Sequence, residues 1–141
     1  MSRIDDEVEK VFKYYKPNSL QDLVTKAKCK ILYFDLDDET GGCTIVNNKC
    51  KTIIVNQNWS YAYQQFVIAH EFAHIRLHSG ASTPFYRGLE LNRFVNKMER
   101  EANMMAMQLL LKLNPELYEF ETKYDILTAL GLSEEFEEYV Y

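Results

Sequence analysis

Hydrophobic positions near the start of the chain recur at the spacing of an amphipathic helix. In residues 4–15, apolar and aromatic side chains fall three and four positions apart, with charged residues between them. Pro17 ends this segment, because proline cannot continue a helix. Asn18 or Ser19 is then placed to cap a second short helix that carries further apolar residues. We therefore predict two helices within residues 1–28.

The pattern changes to that of β-strands in residues 29–57. Three runs rich in β-branched and aromatic residues are separated by turn-forming residues, at 30–36, 43–46 and 52–55. The polar turn 47–49 suits a hairpin between the second and third runs. We predict a small sheet of three strands, mostly antiparallel. Its exposed edge at residues 51–56 is a candidate for binding an extended peptide by strand addition.

From residue 60 onward the pattern is helical. Ser60 is placed to cap a helix over residues 61–78, which Gly80 ends. A loop at 79–88 is a candidate lid, and a long helix over 89–113 follows it.

The rest of the chain predicts one or two short helices, broken at Gly131, with Ser133 as a cap. Because the strands come first and most helices follow, the predicted fold class is α+β. We expect a single domain over residues 1–141. Its parts are the N-terminal helices 1–28, the sheet 29–57, the helices of the candidate site 60–115 and the tail 116–141.

Composition and charge narrow the functional classes. The 141 residues suffice for one core, and 47% hydrophobic with 26% charged residues is typical of a globular protein. No apolar run reaches the roughly 18 residues that span a bilayer, and the acidic N-terminus does not resemble a secretory signal. We therefore expect a cytoplasmic protein. The net charge of −5 argues against direct binding to nucleic acid, whose phosphates attract basic surfaces.

The string His-Glu-x-x-His at residues 70–74 is the candidate chemistry. On a helix, His70 and His74 lie one turn apart on one face, near enough to share one metal ion. Glu71 points about 100° away from His70, which suits a general base that accepts a proton from water at the site. The surrounding residues are almost all apolar, so we predict a buried helix. The alternative is a pair of core histidines that are hydrogen-bonded without a metal.

A third ligand is expected from the following helix, where Glu99 and Glu101 both share faces with apolar residues. Spacing does not choose between these two carboxylates, and an exposed ion pair is the alternative role for either. His78 lies about 12 Å along the helix from His70, too far to join the same ion. It is a candidate for supporting a ligand, for contacting substrate or for a cation at the helix end.

Two motifs follow each other along the chain: the stretch FVIAHEFAHIRLH is followed, after a loop, by MEREANMMAMQLL and Pro115. Together they resemble the ImmA/IrrE family of metallopeptidases. The family pattern joins a His-Glu-x-x-His helix, often with a further His four residues on, to Glu-Ala-Asn or Glu-Ala-Asp and x-Phe-Ala-x-x-Leu-Leu. Here Met105 stands in place of the usual Phe. The resemblance covers roughly residues 53–115.

The resemblance implies a zincin-like helical core and a gluzincin-like Zn²⁺ site. Its expected ligands are His70, His74 and Glu101, with Glu71 as the catalytic base. Separately from the resemblance, Glu99 and Tyr86 are candidates for supporting a ligand or contacting substrate. The candidates for the group that stabilises the oxyanion are His78, Tyr86 and Tyr63, without a ranking among them.

For function, the resemblance implies a zinc endopeptidase whose protein substrate is a helix-turn-helix transcriptional repressor of a phage or mobile element. The alternative is a zinc-containing protein that binds such a repressor without cutting it. A faint helix-turn-helix pattern at residues 126–133 is followed by four glutamates, so we interpret it as a packing helix pair.

Overall fold

The computed structural model describes residues 3–47, 49–78, 85–86 and 97–140. Helix α1, Arg3–Tyr15, buries one face through apolar residues spaced three and four apart, as predicted. Helix α2, Leu20–Lys26, begins at Ser19, whose hydroxyl accepts a hydrogen bond from the Asp22 amide at 3.0 Å. Both predicted N-terminal helices are therefore confirmed.

The sheet has three main strands and one short strand. They are β1 (Cys29–Phe34), β2 (Thr40–Asn47), β3 (Cys50–Asn56) and β4 (Phe85–Tyr86), in the order β1-β3-β2-β4. β2 pairs with β3 and β4 in antiparallel fashion, whereas β1 pairs with β3 in parallel. The sheet is therefore mixed, and the predicted hairpin is the β2–β3 pair.

The predicted peptide-binding edge at residues 51–56 was wrong. β3 is the central strand, and β1 and β2 hydrogen-bond to its two sides. Strand addition requires free backbone groups, which β3 does not offer. The sequence pattern did not reveal this, because β1 pairs with β3, which is not the next strand in the sequence. β2 lies between them in the chain.

Two longer helices pack against each other and form the centre of the molecule. Ser60 caps helix α3, Tyr61–Leu77, and the helix residues from Phe66 to His74 are buried on every side. Helix α4, Lys97–Leu113, buries a broad apolar stripe. Three predicted features lie outside the described residues. They are the part of the predicted helix 89–113 before Lys97, Gly80 and the candidate lid, of which only β4 is described.

The C-terminal region folds back onto these helices. A 3-10 helix, Pro115–Glu119, precedes helix α5, Lys123–Leu130. Gly131 ends α5 in the left-handed region at φ 78°, which glycine adopts without strain. A second 3-10 helix, Glu134–Tyr139, follows Ser133, whose side chain makes no capping hydrogen bond. The predicted break at Gly131 is confirmed.

The buried apolar residues other than Ile54 form one cluster that runs from α1 to Val140. The fold class is α+β, as predicted. Among the described helices, none combines the length and apolarity needed to cross a lipid bilayer. All three cysteines are free.

Candidate metal centre

Three buried side chains from α3 and α4 converge on one point. Nε2 of His70 lies 2.9 Å from Oε2 of Glu99, and Nε2 of His74 lies 3.1 Å from Oε1 of Glu99. The side chains of these residues are at most 3% exposed. Within the part of the chain that the structure describes, this is the one set of three histidine, cysteine or acidic side chains whose ligand atoms all lie within 4.8 Å of one another.

The third member of the set is Glu99 and not Glu101, contrary to the expectation from the resemblance. Oε1 of Glu101 lies 2.9 Å from Nε2 of His78, and its Oε2 lies 3.0 Å from the Arg3 guanidinium. Two residues along a helix correspond to a rotation of about 200°, so the two carboxylates cannot face the same point. α4 is rotated so that Glu99 faces α3.

The second ring nitrogen of His70 is also held. Nδ1 of His70 lies 2.8 Å from the amide oxygen of Asn103, and the amide nitrogen of Asn103 donates to the Tyr139 hydroxyl at 3.2 Å. Because the Asn103 oxygen can only accept, His70 donates through Nδ1. Nε2 of His70 therefore is the nitrogen that faces Glu99 and His74 and that can hold a metal ion once it carries no proton.

Glu71 lies beside this set without joining it. Its Oε1 accepts a 2.7 Å hydrogen bond from the Thr44 hydroxyl on β2, and its Oε2 is 3.9 Å from Nε2 of His70. The side chain is fully buried. Burial raises the pKa of Glu71, and this increase opposes the effects of His70 and the Thr44 hydrogen bond. A carboxylate with a raised pKa is better suited to accept a proton.

The opposite shift applies to Glu99. Burial raises the pKa of its carboxyl, but the hydrogen bonds and charges of His70 and His74 outweigh burial and bring the pKa to about 2. Glu99 is therefore ionised at neutral pH. A carboxylate must be ionised to bind a metal ion, so the two buried glutamates have environments that suit different roles.

The three converging groups fit a zinc ion. Zinc binds imidazole nitrogen and carboxylate oxygen at about 2.0–2.2 Å, and the edge of such a tetrahedron is about 3.4 Å. The separations of 2.9 and 3.1 Å between the Glu99 oxygens and the histidine nitrogens are close to this edge. Three protein ligands leave a fourth position for a reactant, which is the pattern of catalytic zinc sites.

The other candidates from the sequence have different positions. His78 contacts His74 through their Nδ1 atoms at 3.0 Å. The Tyr63 hydroxyl accepts a hydrogen bond from the Ser133 amide in the tail at 3.3 Å. The side chain of Tyr86 lies outside the described residues.

Sequence reasoning missed the contacts of Thr44, Asn103 and Tyr139. Thr44 contacts Glu71, and Asn103 contacts both His70 and Tyr139. A polar residue facing inward on a strand was the available signal for Thr44. Asn103, four residues after Glu99, shares its helix face, which was the signal for that residue.

Comparisons with known proteins match the chain to a family model and to two relatives. The model of the Peptidase_M78 family, described as an IrrE N-terminal-like domain, matches residues 24–139. The chain is 34% identical over 104 residues to "Uncharacterized immunity region protein 2" of Bacillus phage phi105, covering 74% of this chain and 65% of that protein. It is 28% identical over 109 residues to "Metallopeptidase ImmA" of Bacillus subtilis (strain 168), covering 77% of this chain. The match spans 63% of that relative, so the chain spans less than two thirds of the length of both proteins.

Proposed function

Because the chain belongs to the Peptidase_M78 family of IrrE N-terminal-like metallopeptidases, we propose that it is a zinc-dependent endopeptidase of the gluzincin type. The observation that carries the proposal is the convergence of two histidines and one ionised carboxylate beside a separate buried glutamate. Structural metal sites use all their positions for protein ligands, whereas this set has three. The extra carboxylate suits hydrolysis.

In this proposal His70, His74 and Glu99 hold the zinc ion. When bound, the ion supplies a Lewis acid that polarises a carbonyl group and lowers the pKa of water. Asn103 keeps the Nε2 lone pair of His70 directed at the ion, and the negative charge of Glu99 balances part of the metal charge. No other cofactor is required for peptide hydrolysis.

Glu71 acts as the general base. The Thr44 hydroxyl occupies Oε1 and holds the carboxylate in one orientation, so that Oε2 faces the ligand set. Oε2 accepts a proton from the attacking water, and the same carboxyl then donates a proton to the departing amine. The atoms balance, because one water adds across one peptide bond and the proton on Glu71 is returned.

We propose that the substrate is a helix-turn-helix repressor of a phage or mobile element and that its cleavage takes place in the cytoplasm. One similar protein is named for a phage immunity region. Charge supports the choice as well, because the net charge of −5 attracts the basic surface by which a repressor binds DNA.

The test mixes the purified, zinc-loaded protein with a helix-turn-helix repressor from the genome that encodes this chain and follows intact masses over time. We expect two repressor fragments whose masses sum to the repressor plus one water. Glu71→Gln protein serves as the matched control and should give no fragments while still holding zinc. A stable complex without fragments would show a binding antagonist instead of a peptidase.

A further inference from the structure

A chain of polar side chains leads from His74 to the surface of α1. His74 contacts His78 through their Nδ1 atoms at 3.0 Å, and Nε2 of His78 lies 2.9 Å from Oε1 of Glu101. Oε2 of Glu101 accepts from the Arg3 guanidinium at 3.0 Å. Arg3 also donates to the backbone oxygen of Leu77 at 2.8 Å. None of His78, Glu101 and Arg3 belongs to the proposed ligand set.

The chemistry of the groups gives this chain a direction. An ionised carboxylate can only accept hydrogen bonds and a guanidinium can only donate them. Glu101 therefore accepts from both neighbours, and His78 carries a proton on Nε2. When Nε2 of His74 holds a metal ion, the one ring proton of His74 is on Nδ1, so Nδ1 of His74 donates and Nδ1 of His78 accepts.

This chain of contacts therefore fits the tautomer in which His74 binds a metal ion. With the proton on Nδ1, the lone pair of His74 is on Nε2, the atom that lies 3.1 Å from Glu99. In the opposite tautomer Nε2 would carry hydrogen and could not act as a ligand.

We propose that His78, Glu101 and Arg3 form a positioning relay that holds His74 in its metal-binding tautomer and links α1 to the metal centre. The proposal rests on the proposed function, because it assigns His74 as a ligand. His78 and Glu101 act through His74 and touch neither ion nor substrate, so they are positioning residues.

Exposure along the relay predicts graded effects. The side chain of His78 is 7% exposed, that of Glu101 is 17% exposed and that of Arg3 is 59% exposed. Hydrogen bonds are stronger where water is excluded, and exposed charge pairs contribute little. The order of importance is therefore His78, Glu101 and Arg3.

A second ion pair provides a matched control for the outer end of the relay. Glu7 on α1 contacts the Arg76 guanidinium on α3 at 2.8 Å. Glu7→Gln breaks this link between α1 and α3 but leaves the relay intact. Arg3→Gln breaks the relay and removes one ion pair of α1. If the ion pairs of α1 only hold this helix against the rest of the fold, the two variants will have the same zinc affinity.

The first experiment measures zinc affinity of the purified full chain by competition with a chromophoric chelator. We expect His78→Phe, which keeps a ring but removes the acceptor, to weaken zinc binding about 10–100-fold. His78→Gln supplies an amide oxygen as acceptor and should restore part of the loss. Glu101→Gln should have a smaller effect, Arg3→Gln an effect of a few fold, and Glu7→Gln none.

The second experiment measures the tautomers of the histidine rings in the zinc-loaded, wild-type protein by ¹⁵N NMR. His78 should be protonated on Nε2 and accept at Nδ1 from His74, and Glu101→Gln should shift His78 toward a mixture of tautomers. This readout needs no activity, and a purely structural role for Glu101 would not change it.

The outcomes separate the relay from the proposed function. If the wild-type protein binds no zinc, the proposed function fails. If it binds zinc and His78→Phe and Glu101→Gln bind equally tightly, the relay is wrong and the metal centre stands. His78 protonated on Nδ1 in the zinc-loaded protein would also overturn the relay.

Discussion

Two carboxylates on the first turns of α4, Glu99 and Glu101, meet different parts of the molecule. Glu99 faces α3 and contacts two buried histidines, whereas Glu101 faces α1 and the end of α3, where it contacts His78 and Arg3. The pKa of Glu101 is also lowered, first by its hydrogen bond with His78. The residue type and helix are the same, so the neighbouring element determines the role. The buried carboxylate is placed to bind an ion and the half-buried one to position a ligand.

The strongest test of this comparison substitutes each of the two glutamates in turn. Glu99→Gln removes a charged ligand, so zinc affinity should fall by more than the factor of about 100 that the loss of a supporting contact brings. Proteolysis should be lost with it. Glu101→Gln should retain zinc and activity at a reduced level. Chelator competition measures both affinities, and a larger loss for Glu101→Gln would reverse the assignment.

A second substitution separates the binding of zinc from the handling of protons. Glu71 is as buried as Glu99, but it faces Thr44 and lies outside the ligand set. We expect Glu71→Gln to lower kcat by about 10²–10⁴-fold, the usual contribution of a general base, while zinc content stays at one per chain. Elemental analysis and peptide cleavage measure the two quantities. Normal turnover in Glu71→Gln protein would remove Glu71 from its role.

Asn103 sharpens the comparison, since it supports His70 as His78 is proposed to support His74. Asn103→Leu removes the acceptor for Nδ1 of His70 and leaves the Tyr139 hydroxyl without its donor. Zinc binding should weaken about 10–100-fold. Tyr139→Phe is the control that keeps the Asn103 amide and removes only the hydroxyl that accepts from it, and its effect should be smaller. Equal zinc affinities for Asn103→Leu and wild type would contradict this role of Asn103.

The smallest effect is expected at an ion pair on α4 that lies between the two carboxylates in sequence. Arg100 contacts Glu138 at 3.2 Å, and both side chains are about half exposed. Exposed pairs contribute about 0–1 kcal/mol to the free energy of unfolding. Arg100→Gln should therefore leave zinc affinity unchanged and lower the unfolding free energy by less than about 1 kcal/mol in a urea titration. A loss of zinc would show that general damage to α4 affects the centre.

The parts of the site that sequence reasoning predicted are local. His70, Glu71 and His74 lie within one helix turn, and helical geometry alone places the two histidines on one face. The strands and the N-cap residues Ser19 and Ser60 were likewise predicted from short-range patterns, which the structure confirms. Local rules suffice where the partner is at most four residues away.

The parts that were missed or left open depend on contacts across the fold. Thr44 lies 27 residues from Glu71, Tyr139 lies 36 from Asn103, and Arg3 lies 98 from Glu101. The rotation of α4 against α3 decides between its two carboxylates, and an apolar pattern on both faces of α4 does not specify that rotation. The central position of β3 has the same origin, because it depends on pairing beyond the hairpin.

Anomalous diffraction at the zinc edge, from crystals of protein purified without a histidine tag or added zinc chelators, tests the central claim most directly. One anomalous peak should lie within about 2.0–2.2 Å of Nε2 of His70, Nε2 of His74 and a carboxylate oxygen of Glu99. A zinc ion bound by Glu101 or His78, or zinc-supplemented crystals without a peak among His70, His74 and Glu99, would contradict the account.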